Sequence, residues 1–285
     1  KDGHSYSDYR NDIEQYFDLT GGHLEYYPAS AFQTPIGTLL QTAPQETVDF
    51  ILTFTNRSIE YFSKSELGNE AEEIDVIVDD SGATVKQYIG HRIWNTYRGT
   101  QVVPPLLESI HMALENWLLR IAKTWDQEIV EKWCLYLINN SRSASTTAVV
   151  VSAVLAEPSK LFNIAKILFL NKDFFFFDSA RMQLDMTHAK FSYSMVHDPV
   201  GIFRDERMQT CEDKHRNHSL ENQVLNYQLF ATEGEGEDVA KGRQEVIWKI
   251  LDEYYAKLPD KSKETDSDKT WRLCLARMDR RKMKI

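Results

Sequence analysis

In a chain of 285 residues, alternation of apolar and polar side chains, the mark of a half-buried strand, is sustained in one place. That place is "EEIDVIVDDSGATVKQYIGHRIWNTYR" (72–98). Ile74, Val76 and Val78 alternate, "DDSG" supplies turn residues, and alternation resumes through Val85, a hairpin signature. A lone two-stranded hairpin is marginal in water. The rest of the chain must therefore support it, with Trp94 and Tyr97 as anchors. Elsewhere the apolar residues recur at helical spacing. The expectation is a mainly α protein: an irregular helical stack, α-solenoid or bundle-like, with one inserted β-hairpin near 72–98. No fixed-period repeat is visible.

In 44–62, Val48, Ile51, Leu52, Thr55, Ile59 and Phe62 share one face, and "TAPQ" places Thr42 and Gln45 at capping-box spacing. Phe50, Phe54 and Tyr61 form a second stripe, which predicts a helix sandwiched between neighbours. Pro104 and Pro105 suit the first turn of the next helix, where Leu107, Ile110, Leu114, Trp117, Leu118 and Ile121 follow. Further helices are predicted at 127–140, 143–156, 159–170, 174–187, 217–231, 239–258 and 267–282. The small side chains of "SASTTAVVVSAVLA" (143–156) predict a helix near the middle of the stack. We expect a helical domain over 1–231, then an acidic, Gly-rich mobile loop, "TEGEGEDVAKG" (232–242), and C-terminal helices that continue the stack to 285. A polar linker is expected at 258–269.

The greasiest stretch, 146–177, is broken by Glu157, Pro158, Lys160, Lys166, Lys172 and Asp173. It reads as buried core, since a membrane span needs ~20 uninterrupted apolar residues. The net charge of −10 argues against a nucleic-acid surface. Three widely spaced cysteines imply neither a disulfide framework nor a CxxC metal site, and fit a reducing cytoplasm. The chain begins at Lys1 without a charged-then-apolar leader, as a piece of a longer protein would.

Four stretches could carry chemistry or binding. "HRIWNTYRGT" gathers His91, Arg92, Trp94, Tyr97 and Arg98. Arginines beside aromatics are typical of interface hot spots and of anion or nucleotide contacts, so Arg92, Trp94, Tyr97 and Arg98 form the predicted binding surface. On that reading Arg98→Ala leaves stability nearly intact; the alternative is plain hairpin-to-helix packing, with the arginines capping carbonyls or pairing Glu72 and Glu73. "CEDKHRNH" offers Cys211, His215 and His218 as metal ligands, although its spacing matches no standard zinc signature. Asp178, Arg181 and Asp185 fall on one helical face. Paired carboxylates can move protons, but this spacing is also that of a structural ion pair. The basic tail (271–285) reads as a last amphipathic helix.

No phosphate-cradling, nucleophile-elbow or HExxH motif is present. No catalytic residue and no cofactor are expected. The phrases "YYPASAFQTPIGTLLQTAPQETVDFILTFTN", "YRGTQVVPPLLESIHMALENWLL", "AVVVSAVLAEPSKL" and "WRLCLARMDRRKM" resemble helical regions of very large bacterial proteins with a STAND-type P-loop ATPase module. That class includes antiviral defence proteins. The resemblance implies a sensing or scaffold role, with ATP bound by a separate module whose P-loop is missing here. The function expected is a non-catalytic interaction or regulatory region of a larger cytoplasmic bacterial protein. Its partner would be another protein or other domains of the same polypeptide. The alternatives are an α-helical enzyme with dispersed acid–base residues and a metal-binding module at 211–218.

Overall fold

The computed structural model describes residues 13–20, 25–229 and 236–283. It is mainly α-helical with one antiparallel hairpin, β1 (Glu72–Ile77) and β2 (Thr84–Ile89), paired with Val76 opposite Val85. The helices before it are α1 (Ile36–Thr42) and α2 (Pro44–Phe62). After it come a single turn α3 (His91–Trp94), then α4 (Pro105–Thr124), α5 (Gln127–Asn140), α6 (Ala144–Ala156), α7 (Phe162–Phe169) and α8 (Lys172–Leu184). A π-turn (Asp185–Ala189) leads to α9 (Lys190–Ser194). The chain continues through α10 (Ile202–Thr210), α11 (Leu220–Leu229), α12 (Glu237–Lys257) and α13 (Asp266–Met278). Most of the buried apolar side chains form one cluster running from Ile13 to Met278. No helix among the described residues is long and apolar enough to cross a membrane.

Helix α6 lies at the centre. Ala144 through Leu155 are all buried, and its small Ala, Ser and Thr side chains let α4, α5 and α7 approach closely. The hairpin leans on this centre. Val76 and Ile89 are buried, Gln87 bonds the Ile138 carbonyl and the Thr147 hydroxyl, and the Tyr88 amide donates to the Arg142 carbonyl at 2.8 Å. At the other edge the Asn171 side chain accepts from the Ile77 amide at 2.7 Å and donates to its carbonyl at 3.0 Å. One amide side chain thus stands in for a third strand.

Several local expectations are corrected. Helix α2 starts at Pro44 with Ala43 as its N-cap and no side-chain cap bond, so Thr42 and Gln45 form no capping box. Thr42 instead closes α1, its hydroxyl bonding the Thr38 carbonyl. The second stripe of α2 is not sandwiched: Phe50 and Tyr61 are exposed, and Phe50 stacks on Phe54 at 5.9 Å. Of the acidic loop, 232–235 lie outside the described residues, and Glu237 onward belongs to α12. The linker is shorter than its polarity suggested, because Thr265 and Asp268 form a full capping box that opens α13.

Candidate functional site

The turn Thr96–Arg98 ends at Gly99, whose φ of +63° lies in the left-handed region that glycine adopts without strain. A side chain there would press Met112 Cε at 3.0 Å. This turn drives Arg98 inward, where it is fully buried. The predicted binding surface therefore needs correcting. Trp94, Tyr97 and Arg98 are core residues, with Trp94 packed on Phe174 and Phe177 at 5.3 and 6.3 Å. Only Arg92 reaches the edge, where it caps the Val102 carbonyl, as the packing alternative has it, and pairs with Glu70 at 2.8 Å rather than with Glu72 or Glu73. The hairpin returns to the stack here, so burial of the aromatic anchors takes the arginine beside them along.

Four fully buried arginines converge here, which is the unusual feature of the molecule. Arg98, Arg181, Arg207 and Arg216 each come from a different element. Arg98 Nε donates to Asp185 Oδ1 at 2.7 Å. Arg181 bonds Asp178 through Nε at 3.0 Å and Asp185 through Nη1 at 3.2 Å. It also donates to the carbonyls of Arg216 and His218, at 2.8 and 2.5 Å. Arg216 Nη2 sits 2.9 Å from both oxygens of Glu115 on α4. Ser152 Oγ donates to Glu115 Oε1 at 2.5 Å, so it accepts from His215 Nε2 at 3.1 Å, which fixes the tautomer of that neutral ring. On α10, Glu206 Oε2 accepts from the Ser30 hydroxyl at 2.6 Å and the Ala31 amide at 3.2 Å.

Burial opposes charge on every one of these groups, and proximity decides the outcome. Burial pushes the Glu115 carboxyl up, but Arg216, Arg98 and Arg207 together hold it below the usual range. Asp185 is held down in the same way by Arg98, Arg216 and Arg181. Asp178, deeper and facing mainly Arg181, is left raised by burial. The His215 imidazole is pushed down to about 3, first by burial and then by Arg216.

The two alternatives based on titratable groups fare differently. Asp178, Arg181 and Asp185 do meet, as a saturated ion-paired knot in which Asp178 also accepts the Leu220 amide at 2.8 Å. Cys211, His215 and His218 do not meet as a ligand set: His215 is turned onto Ser152, and among the described residues no three His, Cys, Asp or Glu side chains could hold a metal ion. The basic tail is spoken for as well, with Arg272 on Glu264, Arg277 on Glu221 and Arg281 on Asp252. Lys284 lies outside the described residues.

Several guanidinium nitrogens of the cluster have no hydrogen-bond partner among the described residues: Arg98 Nη1 and Nη2, Arg207 Nε and Arg216 Nη1. Beside Arg207 opens a cavity of about 180 Å³, walled by residues 99–103, Glu108, Met112, Tyr193, Val196, Arg204 and Arg207. Its outer wall belongs to the segment 186–202. There Met186, Phe191, Met195, Val200 and Ile202 are 55–72% exposed, the densest run of exposed large apolar residues in the described chain. Sequence reasoning assigned nothing to 188–210. The available signal was Phe191, Met195 and Ile202 among polar neighbours without a helical stripe to join. No protein-family model and no curated protein matches the chain.

Proposed function

We propose that this chain is a non-catalytic helical interaction region of a larger cytoplasmic bacterial protein, and that it binds a protein partner through the apolar surface of residues 186–202. The observation that carries this reading is the exposure of Met186, Phe191, Met195, Val200 and Ile202 within one short segment. Contiguous exposed apolar side chains are characteristic of interaction sites, and methionines adapt to varied partner surfaces. The resemblance to helical sensing regions of STAND-type ATPases points the same way. The acid–base alternative loses appeal because its carboxylates, Asp178 and Asp185, already bond guanidinium groups.

The test compares the wild-type chain with a Phe191→Ser/Met195→Ser double variant as baits in native lysate. The expected result is one protein captured by the wild type and lost with the variant, at an unchanged urea midpoint. Equal capture by both would remove the 186–202 surface from consideration.

A further inference from the structure

The cavity beside the arginine cluster has the features of a built ligand site. Arg207 is fully buried on its wall; among the described residues its Nε has no partner, and its one hydrogen bond is a long 3.5 Å contact to the Tyr193 hydroxyl. Its nearest carboxylate oxygen, Glu206 Oε1, stands 3.6 Å away and is itself without a hydrogen bond. The Thr100 hydroxyl, also on the wall, is buried and unpartnered too. A planar guanidinium left this bare in a low-dielectric interior is a strong, preformed donor for an oxyanion. Arg204, partly exposed at 40%, adds a second cation on the same wall.

The rest of the lining narrows the ligand. Val103, Met112, Val196 and the ring of Tyr193 give the cavity apolar walls. A cavity of ~150 Å³ accepts a benzene ring, so one of about 180 Å³ holds a single ring or a branched aliphatic group. Glu108 also lines the cavity, and Glu206 Oε1 lies 3.6 Å from Arg207 Nη1. Two carboxylates so near disfavour a doubly charged phosphate and leave room for one negative charge.

We propose that this cavity binds a small monocarboxylate with an apolar body, its carboxylate held by Arg207 and Arg204 and by the Thr100 hydroxyl. The inference does not rest on the partner-binding reading, since its probes are small molecules and its variants lie inside the cavity. Calorimetric titration of the purified chain with benzoate, isovalerate, phenyl phosphate and benzamide tests it. The expected result is saturable millimolar or tighter binding of benzoate or isovalerate, with benzamide and phenyl phosphate each roughly tenfold weaker or more. Arg207→Lys keeps the charge but loses the fork, and should weaken benzoate roughly tenfold. Arg204→Ala, at a partly exposed position, and the near-isosteric Thr100→Val should each weaken it severalfold at an unchanged unfolding midpoint. Those two variants keep the test decisive if Arg207→Lys fails to fold. Failure of both carboxylates to bind would overturn the proposal, as would benzamide or phenyl phosphate matching them, or binding indifferent to Arg204 and Thr100.

Discussion

The molecule holds two cores that obey different rules. Around α6 the interior is small and apolar, relieved by hydroxyls that satisfy one another: Ser143, Ser145 and His111 form a chain of bonds at 2.7 and 2.8 Å. The His111 Nδ1–H ends that chain on the Leu107 carbonyl at 2.8 Å. One to two turns further along α4 and α6 the interior is ionic, with Arg98, Arg181, Arg207 and Arg216 facing Glu115, Asp178, Asp185 and Glu206. The first core tolerates loss of contact as a cavity, and the second responds to loss of a partner as an uncompensated charge. Completeness separates them further. His111 uses both ring nitrogens, whereas Arg98, Arg207 and Arg216 leave donors bare among the described residues. An incomplete polar core is where a ligand can add stability, and a complete one is where it cannot.

The largest effect should come from the ionic side. Glu115→Ala strands Arg216, leaving its guanidinium only the half-exposed Asp213 carboxylate at 3.9 Å, and should destabilise the chain by ~3–5 kcal/mol in urea unfolding. Replacing both partners, Glu115→Leu with Arg216→Met, should recover most of that loss. A single-variant loss under ~1 kcal/mol would mean the two cores differ less than their chemistry implies. Arg98→Ala belongs to the same class, contrary to the surface role first expected of it, because Arg98 is buried on Asp185. On the apolar side, Leu114→Ala should cost ~2–5 kcal/mol through the cavity it leaves, and no second substitution elsewhere should rescue it as a charge partner does.

Acid separates the cores by a third route. Burial holds His111 down at about 4 and His215 at about 3, from ordinary values of 6.5. Both rings are neutral in the folded chain, so the unfolded chain binds more protons below ~6.5, and stability falls as pH drops from there toward 4. Each ring contributes up to ~1.4 kcal/mol per pH unit in that window. His111→Gln should flatten the pH dependence of the urea midpoint between pH 6.5 and 4.5 without abolishing it, since His215 remains; an unchanged slope would assign the acid sensitivity elsewhere. The smallest effect belongs to neither core. The Arg277–Glu221 pair, at 2.7 Å with the arginine side chain 64% exposed, should be worth under ~1 kcal/mol when Arg277→Ala breaks it.

The apolar core was legible in the sequence because periodicity reports it directly. Leu107, Ile110, Leu114, Trp117, Leu118 and Ile121 were readable as one face of α4, and all are buried. The ionic core was not, although part of its signal was visible. Glu108 and Glu115 sit seven residues apart on that same helix, beside apolar neighbours, and periodicity counts such residues as solvent-facing. Asp178, Arg181 and Asp185 showed the spacing of an ion pair, but spacing carries no information about depth. Arg98 looked like a surface arginine because its partner lies 87 residues further along the chain. Polar residues declare their partners only when the helices that carry them are docked.

That separation along the chain also sets an order of events during synthesis. Glu115 leaves the ribosome 101 residues ahead of Arg216, an interval of roughly 5–20 s at ordinary elongation rates. Throughout it, α4 carries a carboxylate that its final resting place will accept only as half of a pair. The contacts that close the cluster span the chain, up to the 176 residues between Ser30 and Glu206. The apolar centre around α6 can gather early; the charged cluster closes only once Arg216 has emerged.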